Sequence, residues 1–348
     1  MTDTDTVVIG AGPAGLYQAF QLGLLGLRVA LVDALPHAGG QVVELYGDKP
    51  IYDIPALPLC TGHELVARLL EQLQPLQPGL HFGHAVQTLQ PTADGRWQVG
   101  TAQHTFTAGA VVIAAGVGAF EPRRLKLAGI EAFEGAQVFH RRQPAARFAG
   151  QRLVIVGGDE TALEQAIACA EAHGPSHPVT LVHRRRVFQA PDELVQRFDA
   201  LCDAGAVRFV AGQPNGLDLA EDGRLQGLQL LGPDGETQTL PLDALQVLLG
   251  LSPKLGPVTE WGLALERKQL VVDPATGATS QPGVYAIGDV VHYPGKKRLI
   301  ACAFHEATMA AHAVLAQLHP DQAGPLLYTS SSTLLQQRLG VVAAPQRD

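Results

Sequence analysis

The chain has 348 residues, 46% of them hydrophobic and 17% charged, with 25 Lys+Arg against 33 Asp+Glu and a formal charge of −8. That length holds two domains of ordinary size, each with its own core, and the composition excludes a disordered or fibrous protein. The acidic balance argues against whole-chain affinity for nucleic acid, and no apolar run is long enough to span a bilayer.

Met1-Thr2-Asp3-Thr4-Asp5 runs straight into an apolar strand, without the basic start and long apolar stretch of a signal peptide. A cytoplasmic protein is expected. Residues 6–9 are a short β-branched strand, followed by Gly10-Ala11-Gly12-Pro13-Ala14-Gly15 and an apolar helical pattern through Leu25. A second strand at 28–32 ends at Asp33. Strand, G-x-G-x-x-G, helix, strand and acid stand in the order that a dinucleotide fold requires. Gly10 permits the tight turn, Gly12 lets the backbone approach a pyrophosphate, and Gly15 lets the helix pack on the strand. The helix N-terminus faces the negative charge, and Asp33 is placed for ribose hydroxyls. The motif alone does not separate FAD from NAD.

Next come Gly39-Gly40-Gln41 and Leu45-Tyr46-Gly47-Asp48-Lys49-Pro50. The glycines allow close backbone approach, and Tyr46 is able to stack on a flat ring. The four cysteines (Cys60, Cys169, Cys202, Cys302) are scattered and form no C-x-x-C pair. They read as free, mostly buried thiols of a reducing compartment.

A second nucleotide unit begins at Arg152. A strand at 153–156 leads into Gly157-Gly158-Asp159-Glu160-Thr161-Ala162, which opens a helix to about His173. The following strand, 179–182, ends in His183-Arg184-Arg185-Arg186. Where the first unit carries an acid, this one carries arginines, which suit a ribose 2′-phosphate and favour NADP(H) over NAD(H). The loop has a fault: Asp159 stands where the second glycine belongs, and Glu160 follows it. A carboxylate about 5 Å from a pyrophosphate charge costs about 3 kcal/mol at an effective dielectric of 20, more than about a hundredfold in affinity, unless the side chain turns into solvent.

Toward the C-terminus, Gly283-Val284-Tyr285-Ala286-Ile287-Gly288-Asp289 reads as a strand ending in Gly-Asp, with a helix from about residue 302 to 318. Such an acid is able to bond a ribityl hydroxyl while the helix N-terminus faces the flavin's pyrimidine oxygens. This favours FAD at the first loop; the plainer alternative is a strand turn with a capping Asp.

The chain resembles the ferredoxin–NADP reductases built on the thioredoxin-reductase fold, over nearly its whole length. The resemblance rests on Gly39-Gly40-Gln41, Leu45-Tyr46, Ile51-Tyr52-Asp53-Ile54-Pro55, 116–123 (GVGAFEPR), Phe148-Ala149-Gly150, Gly288-Asp289, Tyr293-Pro294-Gly295-Lys296 and Leu327-Tyr328-Thr329-Ser330. It implies an α/β protein with two Rossmann-like three-layer (ββα) nucleotide-binding domains. The FAD domain, residues 1–115 and 253–348, is interrupted by an inserted NADP(H) domain at 116–252. Thioredoxin reductases themselves carry a C-x-x-C near the stretch here reading Phe139-His140-Arg141-Arg142, so dithiol chemistry is not expected.

By the same resemblance, FAD contacts fall to Asp33, Gln41, Tyr46, Val86, Phe120, Asp289 and Thr329, besides the loops Gly10, Gly12, Pro13, Ala14, Gly15 and Gly40. Tyr46 stacks on one flavin face, and Tyr328 on the other, from a C-terminal segment that similar enzymes take from a partner subunit. A homodimer is implied. NADP(H) falls to Gly157, Gly158, Ala162, His183, Arg184 and Arg185. The family's loop reads Gly-Gly-Gly-Asp-Ser-Ala, and its arginine beyond the HRR is here Gln189; both departures touch the NADP(H) site alone. Implied chemistry is hydride transfer at the flavin followed by one-electron steps to ferredoxin or flavodoxin, with no acid–base residue, metal or membrane. An acidic partner calls for a local basic surface, either Arg123, Arg124 and Lys126 or Lys296, Lys297 and Arg298. The alternatives are an FAD flavoprotein whose NADP(H) site is impaired by Asp159 and that uses another donor or acceptor, and a flavin-based redox sensor.

Overall fold

The β-branched run at the N-terminus forms strand Thr2–Ile9, which lies inside a seven-stranded sheet. Its parallel neighbours are Val29–Asp33 and Thr105–Ile113, with Gly79–Phe82 beyond the first of these. Val284–Ala286, from far along the chain, pairs parallel with Thr105–Ile113, placing Tyr285 opposite Val112. Strands Val86–Pro91 and Trp97–Thr101 continue antiparallel from the first half of Thr105–Ile113. The computed structural model describes residues 2–174, 177–322 and 324–341, without the side chains at 119–121 and 253.

Successive strand residues face opposite sides, and here both sides are covered. Val8, Leu31 and Val112 pack under helices Pro13–Leu24, Gly62–Leu73 and Ile300–Leu318. Val7, Ile9, Val32 and Ile113 pack on the other side against Trp97, Val99 and Leu270. Burial on both faces is why these strands read as unbroken apolar runs. The result is three layers: helices, parallel sheet, antiparallel strands. This unit comprises Met1–Phe120 and Pro253–Asp348.

The second unit, Glu121–Ser252, repeats the plan. Its five parallel strands run in the order Val138–Phe139, Ala244–Leu248, Leu153–Gly157, Val179–His183, Val207–Ala211. Leu153, Ile155 and Leu181 face helices Glu160–His173 and Asp192–Asp203. Val154, Val156 and Val182 face the antiparallel strands Gln213–Leu219, Leu225–Leu231 and Thr237–Pro241. Residues 116–120, expected in the inserted domain, lie with the first unit. No helix among the described residues is long and apolar enough to cross a membrane.

Candidate functional site

Gly10 closes the first strand at φ 109°, and a side chain there would stand 2.4 Å from the Ala114 carbonyl oxygen. Gly15 touches the strand: a methyl group would meet the Gly10 carbonyl oxygen at 1.8 Å. Gly12 differs, since a side chain there would find only the Gly39 carbonyl, 3.9 Å away. That space is open to a ligand. Gly12 is the N-cap of helix Pro13–Leu24 and no side chain caps that helix, so its first amides are left to an anion.

Asp33 holds the loop from the neighbouring strand end. It is only 9% exposed and accepts from the amides of Ala11 (2.5 Å) and Leu35 (2.8 Å). Burial raises its pKa, and the two amide bonds pull against that shift. The Gly39 amide donates to the Ala11 carbonyl, and Gly40 stands close enough that a side chain would meet the Gly12 Cα at 3.3 Å. Gln41 begins the short helix Gln41–Tyr46 that follows. The His84 amide donates to the Asp33 carbonyl, two residues before Val86 at the start of its strand.

The C-terminal motif meets this loop. Strand Val284–Ala286 is followed by a turn at Gly288–Val290, where Gly288 has φ 80° and packs so closely that a side chain would lie 3.3 Å from the Ala14 Cβ. Asp289 in that turn has a pKa raised by burial, with Lys296 and Arg298 pulling it down and Glu306 pushing it up. Tyr46 is within electrostatic reach of it: burial raises the Tyr46 pKa, and Asp289 and Asp53 add to the shift. Tyr46 also lines an open cleft of about 520 Å³ with Leu45, Lys49 and Tyr52.

Tyr328 and Thr329 are not brought to this cluster. Tyr328 is 64% exposed, and the segment is fastened by helix Thr333–Arg338. Leu335 is buried there, and Arg338 donates to the Leu24 carbonyl, at the opposite end of helix Pro13–Leu24 from the glycine loop. The side chain of Phe120 lies outside the described residues.

In the second unit, Gly157 and Gly158 lead into helix Glu160–His173, and Asp159 is its N-cap. The Asp159 carboxylate neither points away nor stands idle: it accepts from the Ala162 amide at 3.0 Å. The His183 ring lies against Gly158, so close that a side chain there would reach its Nδ1 at 2.5 Å. Burial lowers the His183 pKa, helped by Arg184 and Arg185 and opposed by Asp159. The Gln189 amide donates to the Gly158 carbonyl and its carbonyl accepts from the Glu160 amide, so this position fastens the loop through its backbone. Of the three arginines, Arg186 is engaged with Asp199 at 2.5 Å and lies over the Phe209 ring. Arg184 and Arg185 are exposed, without an ion pair among the described residues.

One central residue escapes the motif reading. Glu306, 8% exposed, accepts from the Gly288 amide (2.7 Å), the Tyr293 hydroxyl (2.6 Å) and the Lys296 ammonium (2.5 Å). The signal was a single carboxylate on the stripe Ala303, Ala307, Ala310 of an otherwise apolar helix face. The bond also corrects the second basic cluster, because the Lys296 side chain is only 6% exposed and belongs to the interior. The first cluster shrinks as well: Arg124 is held by both oxygens of Glu134, at 2.8 and 3.0 Å.

The sequence matches the pyridine nucleotide-disulphide oxidoreductase family over residues 4–313. It is 53% identical to a protein named ferredoxin–NADP reductase from Paracidovorax citrulli, covering 99% of this chain and 98% of that one. A second protein of that name, from Acidovorax sp. (strain JS42), is 51% identical, covering 98% of this chain and 96% of its own. Among solved structures, thioredoxin reductase from Lactococcus lactis superposes with a TM-score of 0.62 at 24% identity, over 90% of this chain and 99% of that one. The bacillithiol disulfide reductase of Staphylococcus aureus gives 0.63 at 17%, over 91% and 99%. These two likenesses speak for the fold.

Proposed function

The chain belongs to the pyridine nucleotide-disulphide oxidoreductase family and, within it, to the ferredoxin–NADP reductases, and we propose that its first unit carries FAD and its second receives NADP(H), for electron exchange with ferredoxin or flavodoxin. The observation that carries this assignment is the contrast of strand ends: a buried acid, Asp33, at the first and two exposed arginines, Arg184 and Arg185, without an ion pair among the described residues, at the second. The first unit fits FAD, since Gly12 leaves a cradle that a side chain would fill, beside an uncapped helix.

Bound FAD would supply the chemistry, coupling two-electron hydride exchange with NADPH to one-electron exchange with an iron–sulfur or FMN protein. The chain supplies the holding groups. Gly12 and the helix amides would hold the pyrophosphate, Asp33 the ribose, Asp289 the ribityl chain and Tyr46 the ring. Arg184 and Arg185 clamp the 2′-phosphate of NADP(H). Tyr328 covers the opposite flavin face of a second copy, in a homodimer. The exposure of Tyr328, Leu326 and Leu327 and the anchoring of their segment away from the glycine loop support that reading. Free thiols at all four cysteines suit a cytoplasmic location.

Anaerobic mixing with NADPH, and separately NADH, while following flavin absorbance tests the assignment. Rapid bleaching by NADPH and slow bleaching by NADH is the expected result; equal rates would remove the role of the arginines. Asp159, fixed as a helix cap, favours one second reading, in which NADP(H) binds weakly and another donor feeds the flavin. Bleaching by dithionite alone would establish that reading.

A further inference from the structure

Glu306 stands under the turn that presents Asp289. One oxygen accepts from the Gly288 amide, and the other gathers the Tyr293 hydroxyl and the Lys296 ammonium. Gly288 is also pressed against Ala14 of the first glycine loop, so its position is shared by both FAD motifs. Lys296 and Glu306 are both nearly water-free, and charges in such a place act over longer distances than exposed ones. Burial and the neighbouring Glu306 carboxylate raise the Tyr293 phenol far above its usual range, so it remains a donor.

We propose that Glu306 is a positioning residue for the flavin: it fixes the Gly288–Asp289 turn and, by neutralising the buried Lys296, sets the charge behind that turn and thereby the reduction potential of the cofactor that the turn would hold. The three-residue network closes a small electrostatic circuit. Reduction adds negative charge to the flavin, and an unbalanced positive charge behind the turn stabilises that state. An unbalanced negative charge opposes it. The two halves of the ion pair therefore pull the potential in opposite directions, which a purely structural role would not do.

The inference rests on the first unit carrying FAD. Purified E306Q, K296M and the E306Q/K296M double variant are titrated spectroelectrochemically at pH 7, beside measurement of the FAD dissociation constant of each apoprotein. E306Q is expected to favour reduced over oxidised FAD by about tenfold, a shift of about +30 mV for the two-electron couple. K296M is expected to shift the other way, and the double variant to return near the parent. Shifts of the same sign in both single variants, or none in either, overturn the proposal. Should E306Q fail to hold FAD, K296M decides by itself: a negative shift supports the proposal, and no shift or a positive one sinks it. A parent protein that retains no FAD would instead defeat the functional reading, so the two failures are distinct.

Discussion

The two glycine loops start from the same plan and part at one side chain. At the first, the helix N-terminus is uncapped and the space beside Gly12 is open. At the second, Asp159 fills that role with its own carboxylate, bonded to the Ala162 amide. A helix start attracts negative charge; the first loop leaves that charge to a ligand and the second carries it in the chain. NADP(H) must then displace a cap worth about 1 kcal/mol as well as overcome the repulsion. The strand ends divide the work in the opposite sense. Asp33 also holds its own loop through Ala11 and Leu35, whereas Arg184 and Arg185 are exposed and make no ion pair among the described residues. On the proposed reading, recognition in the second unit leans on the strand end rather than the loop.

Carrying the second loop's acid into the first would break the contrast most severely. Gly12→Asp has room for its Cβ, so the protein should fold, but about 3 kcal/mol of repulsion lowers FAD affinity about a hundredfold. Absorbance of the purified protein reads this directly, and a yellow, saturated variant would dissolve the distinction. Next in size is Arg184→Ala. Losing a charge-assisted bond of about 2 kcal/mol should raise KM for NADPH about thirtyfold and leave NADH kinetics unchanged. A parallel rise for NADH would mean that Arg184 does not read the 2′-phosphate. The smallest effect sharpens the comparison: Asp159→Ser keeps a good cap and removes the charge. Unfolding free energy should stay within about 0.5 kcal/mol, while the NADPH dissociation constant falls about tenfold. Calorimetric titration checks both loops on one footing, and unchanged affinity would show that the carboxylate leaves the site when nucleotide arrives.

The strands, the two loops and the acid at Asp33 were legible because each is local: glycine spacing, β-branched runs and a strand end all lie within about thirty residues. Asp159 was legible only as a repulsive charge, although an Asp just before a helix is also a familiar cap, and that second property decides where its carboxylate points. The Lys296-Lys297-Arg298 run was read as surface, because nothing within it says which residue turns inward. The choice is made ten residues on, by Glu306 in the helix interior. Tyr328 is harder still. In one copy of the chain it is largely exposed, and its segment is anchored at the far end of helix Pro13–Leu24 from the glycine loop, so no local pattern points to a role.

The sheet of the first unit has a consequence for synthesis. Strand Val284–Ala286 completes the pairing of Thr105–Ile113, and helix Ile300–Leu318 supplies part of the covering layer. On the ribosome, all strands of the Glu121–Ser252 unit emerge before either piece exists. Domains fold as units as their residues become available, so the inserted unit is the first to finish, and the segment that precedes it waits with a bare sheet edge for its last strand.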